Sequence, residues 1–260
     1  MGPSPVIVEK KGRTAWIFLN RPEAMNSLTR EMCAALTDAM AQCESDEDMR
    51  VVVLSGMGRA FCAGGDLRTI EKLADYDAAR AYVHLAGGVN SAIVNSAKPY
   101  VAMVNGAAAG AGFNIAMSCD FVYASPKAKF AQAFSSIGLV SDCCGNFLLP
   151  RLVGVRAAKE LMLRPKVLSA EEAFALGIVN RVADEAELHA EVEALADELA
   201  QSAPLAMRYC KKLLLGAFEP FERVMDAEED IQAKLITSAD CKEGVKAFFE
   251  KRKPKWRGKC

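Results

Sequence analysis

The sequence predicts an α/β fold of stacked ββα units, and three observations lead there. Two glycine-rich turns, Phe61-Cys62-Ala63-Gly64-Gly65-Asp66 and Asn105-Gly106-Ala107-Ala108-Ala109-Gly110-Ala111-Gly112, each follow a β-branched apolar run and precede helix-compatible sequence. Strand, turn, helix and strand recur at intervals of roughly forty residues, which fits repeated small units better than one doubly wound sheet. Residues 201–260 are helical in pattern and follow a ββα core over residues 1–200.

Each element has its own signal. Val6-Ile7-Val8 and Thr14 to Leu19 flank the polar Lys10-Lys11-Gly12-Arg13 and read as a hairpin. Asn20-Arg21-Pro22 breaks the second strand. Thr29 then caps a helix to about Glu44, with Met32, Leu36, Ala39 and Met40 on one face. Val51 to Leu54 is the strand before the first glycine turn, and a polar helical region from Asp66 to Asn95 follows, interrupted by Gly87-Gly88. Lys98-Pro99 opens the strand Tyr100 to Val104, and a short apolar helix, Gly112 to Cys119, leaves the second turn. Asp120 to Ala124 and Lys129-Phe130-Ala131 are further strands. Glu185 to Ser202 is an amphipathic helix with Leu188, Val192, Leu195 and Leu199 on one stripe. Pro204 separates it from C-terminal helices whose apolar Leu213, Leu214, Phe218, Phe221, Val224 and Met225 suit packing on another subunit.

Composition excludes several classes. With 25% charged residues, 52% hydrophobic residues and a net charge of −1, the chain has no long-range attraction for nucleic acid or an anionic membrane. The nine cysteines include no C-x-x-C, and only His84 and His189 could join them as imidazole ligands. Reduced thiols of a cytoplasmic protein fit this better than a disulfide framework or a metal site. Met1 to Pro5 has no signal-peptide core. The most apolar stretch, Pro99 to Met117, carries Asn105, Asn114 and spaced glycines, and so reads as a buried strand and helix, not a membrane span.

Two strand–turn–helix corners without bulky side chains can each aim a backbone N–H at one small acceptor atom. Two such donors make an oxyanion hole. A glycine turn taken singly is most often only a turn. A dinucleotide site competes for the second turn, since Gly106-x-x-x-Gly110-x-Gly112 has a dehydrogenase spacing and Tyr123 and Lys127 supply Y-x-x-x-K. That reading fails on context, because Pro126 forbids the helix that would align the tyrosine with the lysine.

Arg59 to Leu67 resembles the first signature of the crotonase (enoyl-CoA hydratase/isomerase) superfamily, and Asn105 to Asp120 resembles the second. Leu19-Asn20-Arg21-Pro22, Lys98-Pro99, Leu168 to Ala173 with Gly177-Ile178-Val179, and Glu243 to Arg252 match in order, so the resemblance spans essentially the whole chain. It implies a ClpP-like spiral of ββα units with a helical C-terminal trimerisation region, assembled as a homotrimer or hexamer. It also implies an acyl-CoA thioester substrate, coenzyme A being part of that substrate and no separate cofactor or metal being needed. Matched by position, the thioester oxygen would lie between the N–H groups of Gly65 and Ala111, the latter at a helix N-terminus whose dipole favours negative charge. Ala63, Gly64, Asp66, Leu67, Gly110, Asn114 and Phe134 would border the substrate.

Hydratases of the family resemble one another in using two glutamates, and at the matching positions this chain has Asn114 and Phe134. Neither is a general base. The nearest acid/base is Asp142, in a region from Phe134 to Gly145 that resembles the ring-1,2-epoxyphenylacetyl-CoA isomerase branch, which carries its catalytic aspartate there. Ser238-Ala239-Asp240 resembles that branch as well, whereas Ser141 and Cys144 depart from its usual proline and glycine. The resemblance therefore implies an enoyl-CoA isomerase. Asp142 removes the α-proton and returns it at the γ-carbon, while Gly65 and Ala111 hold the dienolate oxygen.

Leu139, Val140 and Cys143 predict a dry pocket that raises the aspartate's pKa. A hydratase with a single or non-standard acid/base, and a catalytically degenerate acyl-CoA-binding trimer, stay open as alternatives. Read locally, Asp142 also fits a helix N-cap, Asp66 an ordering residue of its turn and Asn114 a polar group bonded within its own helix. His84 fits a core or surface position, and Cys143 and Cys144 have no visible activating partner. Lys251, Arg252 and Lys253 read either as a solvated basic tail or as contacts to CoA phosphates.

Overall fold

Between Val51 and Ala131, consecutive strands of this chain go alternately to two sheets, and that alternation builds the core of the molecule. A computed structural model describes residues 4–258, so the Met1-Gly2-Pro3 start and the ninth cysteine, Cys260, lie outside the described residues. The chain runs β1 (Val6–Lys11), β2 (Thr14–Leu19), α1 (Arg30–Ser45), β3 (Val51–Gly56), β4 (Ala60–Cys62), α2 (Leu67–Glu71) and α3 (Tyr76–Asn95). It continues through β5 (Tyr100–Val104), β6 (Ala107–Ala109), α4 (Ala111–Ser118), β7 (Phe121–Ala124), β8 (Lys129–Ala131) and α5 (Gly145–Leu163). Then come β9 (Val167–Ser169), α6 (Ala170–Ala175), β10 (Arg181–Val182), α7 (Leu188–Ala200), α8 (Pro204–Leu215), α9 (Phe221–Thr237) and α10 (Ala239–Phe249).

The larger sheet has the order β1-β2-β3-β5-β7-β10 and the smaller one β4-β6-β8-β9. The pairs β3/β4, β5/β6 and β7/β8 thus each give one strand to either sheet, as the ββα reading expects. The larger sheet is apolar on both faces because helices cover both. Val52, Leu54 and Ala102 join the main core with Leu36 and Met40 of α1. Val51, Val53, Val101 and Met103 face the other way, against Leu188, Val192 and Ala196 of α7. In the smaller sheet β6 pairs in parallel with β4 (Ala60↔Ala107) and with β8 (Ala107↔Lys129), which brings the chain's two glycine turns side by side.

Local signals account for most boundaries. The Thr29 side chain accepts from the Met32 amide and starts α1 as expected. Gly87-Gly88 does not interrupt α3, which is continuous from Tyr76 to Asn95. Its buried Tyr82, Ala86, Val89 and Ile93 form a stripe whose packing outweighs the cost of two glycines, about 1 kcal/mol each. The helix expected from Glu185 to Ser202 is shorter, Leu188–Ala200. Helices α8–α10 follow the sheets. Lys211 ties α8 back to them through the Asp120 carboxylate (2.6 Å) and the Lys98 carbonyl (2.8 Å). Beyond α10 the chain returns to the body, with the buried Asp240 carboxylate accepting from the amides of Arg257 (2.7 Å) and Gly258 (3.0 Å). Arg252 is ion-paired with Glu243 and Glu250, while Lys251, Arg252 and Lys253 are all exposed, as the solvated basic ending has them.

Candidate active site

The first glycine turn is clamped from below by Leu28. The Leu28 amide donates to the Gly64 carbonyl (2.8 Å), and the Leu28 carbonyl accepts from the Asp66 amide (3.0 Å). In such a parallel bridge the N–H of the central residue, Gly65, points away from Leu28. Asp66 then N-caps α2: its carboxylate accepts from the Thr69 amide (2.8 Å) and the Ser27 hydroxyl (2.9 Å), with the Arg21 guanidinium at 3.5 Å. These bonds hold its pKa below the usual carboxylate value against the opposing effect of burial. Asp66 is therefore the ordering residue that the local reading describes.

The second turn is fixed by the Gly110 amide, which donates to the Ala131 carbonyl (2.8 Å). Ala111 is the first residue of α4, so its N–H has no intrahelical acceptor. All eight residues of α4 are buried. The two turns touch: Gly64 sits at φ +92°, and a Cβ there would lie 3.3 Å from the Ala111 nitrogen. The Gly65 and Ala111 amides thus belong to two turns in contact. Phe134, in a short 3₁₀ turn at Ala133–Ile137, lays its ring beside Gly110, with Cζ 3.6 Å from the position of a Cβ on that residue. In the first turn Ala63 is partly buried and Gly64 buried, while Leu67 is exposed.

Asp142 is tied to α4 through its main-chain carbonyl, which accepts from Asn114 Nδ2 (2.9 Å). Burial raises the pKa of Cys33 and of Tyr82, with the Asp142 charge adding to both, and the Tyr82 hydroxyl lies 3.2 Å from where a Cβ of Gly65 would stand. That hydroxyl donates to the Leu28 carbonyl (2.6 Å). The Asp142 carboxyl is pushed above its usual range by burial, partly offset by the Cys143 thiol and by its own amide. Its Oδ1 is buried with no hydrogen-bond partner among the described residues. An acid with a raised pKa and a free oxygen can take up and return a proton at a bound carbon acid.

Three expectations need correction. Asp142 is not an N-cap, because α5 starts at Gly145 and the cap position is Cys144, in the left-handed region at φ 63°. Cys143 is also left-handed, at φ 45°, so the chain bends too sharply for the Asp142 side chain to reach the helix end. Leu139 and Val140 are exposed and do not wall the carboxyl within one chain; Cys143 is the flanking apolar residue that is buried. The Asn114 side chain bonds outside its own helix, to Ser141 (3.1 Å), the Asp142 carbonyl (2.9 Å) and Gln132 (2.6 Å). Gln132 and Tyr82 gave no sequence signal, since each acts through partners many residues away. His84 is exposed on α3.

Beside α2, a cleft of about 470 Å³ is lined by Arg21, Arg30, Arg68 and Lys72 together with Asp66. Larger hollows of about 720 and 740 Å³ lie around the C-terminal helices, away from the two turns. Among the described residues there is no cluster of three or more metal-binding side chains, and no helix long and apolar enough to cross a membrane.

The whole architecture has close counterparts. Over 98% of this chain it superposes on 100% of an enoyl-CoA hydratase from Bacillus anthracis, at a TM-score of 0.93 and 29% identity. The sequence is 38% identical over 247 residues to a 1,2-epoxyphenylacetyl-CoA isomerase of Escherichia coli, covering 94% of each chain. It is 36% identical over 250 residues to a crotonyl-CoA hydratase of Syntrophomonas wolfei, covering 95% of this chain and 96% of that one. The family model for enoyl-CoA hydratase/isomerase matches residues 9–259. With its strands divided between two sheets and its two glycine turns in contact, this chain belongs to the crotonase family of acyl-CoA-acting hydratases and isomerases.

Proposed function

We propose that the protein is an enoyl-CoA isomerase that moves a double bond through a dienolate, with Asp142 as its one acid/base. The observation that supports this reading is the Asp142 carboxyl, raised by burial, with one oxygen unpartnered among the described residues and its main chain tied to Asn114 of the helix that begins at Ala111. The carboxylate takes the α-proton of a 3-enoyl thioester. The C–H electron pair moves into the bond between the α-carbon and the carbonyl carbon, the C=O π pair shifts onto the thioester oxygen, and the resulting dienolate oxygen is held by the two N–H groups. Electrons then return from that oxygen, the γ-carbon takes the proton from the carboxylic acid, and a 2-enoyl thioester results. Asn114 has both amide hydrogens engaged, and Phe134 presents a ring, so neither offers a second base to activate water. The basic cleft at Arg21, Arg30, Arg68 and Lys72 suits the phosphates of coenzyme A. Exposed Leu214, Phe218, Phe221, Phe248 and Phe249 on the C-terminal helices suit a homotrimer, alone or paired into a hexamer, with residues 201–260 as its contact region.

Asp142→Asn tests the reading. Turnover of 3-enoyl-CoA to 2-enoyl-CoA should fall about 10²- to 10⁴-fold in a folded variant. Near-normal turnover would sink the assignment. A wild type that hydrates 2-enoyl-CoA faster than it isomerises 3-enoyl-CoA would favour the hydratase reading, to which the similarity to a crotonyl-CoA hydratase gives weight. CoA-ester binding without turnover of 3-enoyl, 2-enoyl or aromatic acyl-CoA would favour the binding trimer.

A further inference from the structure

We propose that Gln132 and Ser141 are positioning residues which, through Asn114, hold Asp142 at a set place relative to the Ala111 amide; the inference rests on Asp142 being the base. Three side chains close a hydrogen-bonded ring. Asn114 Nδ2 donates to Ser141 Oγ (3.1 Å), Ser141 Oγ donates to Gln132 Oε1 (3.1 Å), and Gln132 Nε2 donates to Asn114 Oδ1 (2.6 Å). The second hydrogen on Asn114 Nδ2 leaves the ring for the main-chain carbonyl of Asp142 itself (2.9 Å). Asn114, Gln132 and Ser141 are only 0%, 1% and 7% exposed, so water cannot substitute for a missing partner.

The three residues come from separate parts of the fold. Asn114 is on α4, three residues beyond Ala111, which places it about 4.5 Å along the same helix axis. Gln132 follows β8, and Ser141 directly precedes Asp142. The ring is anchored further back, because Ser118 Oγ donates to the Asn114 carbonyl (2.8 Å) and accepts from Asn90 Nδ2 of α3 (2.9 Å). Space for it depends on Gly145, where a Cβ would lie 2.2 Å from Ser141 Oγ and 2.4 Å from Asn114 Nδ2.

A buried polar ring is satisfied in one arrangement only, so it specifies a position more sharply than apolar packing does. Asp142 needs such a device. Its loop contains two successive non-glycine residues with positive φ, Cys143 and Cys144, a backbone that persists only when its surroundings over-determine it. Through α4, one rigid element carries both the oxyanion donor and the tether of the acid.

The test compares Ser141→Ala, Gln132→Met, their double mutant and Asp142→Asn in the full-length enzyme, measuring kcat and KM for 3-to-2 double-bond migration together with Tm. Ser141→Ala and Gln132→Met should each lower kcat about 10- to 100-fold, the range for a slightly misplaced group, with KM within about two-fold. The double mutant should be no slower than the slower single mutant, because both open the same ring. Unchanged kcat in folded single variants would overturn the proposal, as would a fall in Tm with no fall in kcat, or a double mutant whose loss is the product of the two. Ser141→Ala deletes one oxygen and keeps the test open should Gln132→Met fail to fold. Full turnover in Asp142→Asn removes the base assignment and with it the proposal. A dead Asp142→Asn beside fully active ring variants removes only the positioning role.

Discussion

Gly64 faces Ala109 so closely that a Cβ added at Gly64 would stand 2.6 Å from the Ala109 carbonyl oxygen. The first glycine turn therefore rests on the second, backbone against backbone, and Gly64 also needs its φ of +92°. Gly64→Ala should cost about 3 kcal/mol of stability from strain and crowding, measured by urea unfolding. In the fraction that stays folded it should lower kcat about 10²-fold or more, because separating the turns pulls one N–H donor out of line. A variant with wild-type turnover would show that the contact between the turns is not needed for catalysis.

The pKa of Asp142 gives opposite pH dependences for stability and turnover. Burial raises that pKa, so the folded state holds the proton more tightly than the unfolded state does. The carboxyl's contribution to stability is fully present below its unfolded pKa and is lost as pH rises through the raised folded value. Asp142→Asn is always neutral and should melt above the wild type at pH 8, with the gap closing as pH is lowered. Turnover needs the carboxylate, so wild-type kcat/KM should fall on the acid side at a higher pH than an ordinary aspartate would give. Melting curves from pH 4 to 8 and a kcat/KM profile check both directions.

Phe248 and Phe249 stand edge to face at 5.7 Å on the last turn of α10, both well exposed. Replacing both with glutamate should dissociate the proposed trimer to monomers, as read by light scattering on a sizing column. An assembly of unchanged mass would move the subunit contact away from this end of the chain.

The elements easiest to read in the sequence were those set by neighbours along the chain. Thr29 and Asp66 cap their helices through amides three residues on, and the β-branched runs before the glycine turns are strands as expected, both in the larger sheet. What escaped was set by contacts across the fold. The continuity of α3 through Gly87-Gly88 follows from its buried stripe, and the direction of the Asn114 side chain follows from Gln132 and Ser141, eighteen and twenty-seven residues away. The apolar character of Leu139 and Val140 was plain in the sequence, but not that the bend at Cys143-Cys144 leaves them on the outside.

In the proposed site the Gly65 and Ala111 amides belong to the main chain, whereas Asp142 arrives on a separate loop between residues 138 and 144. No substitution except proline, which lacks the N–H, can delete either donor, and Asp142 can be exchanged, moved or lost without touching them. A lineage built on this frame can keep its grip on the thioester while the loop drifts from one reaction to another. Its inheritance is the activation of a carbonyl, and the identity of the product is the part left open to change.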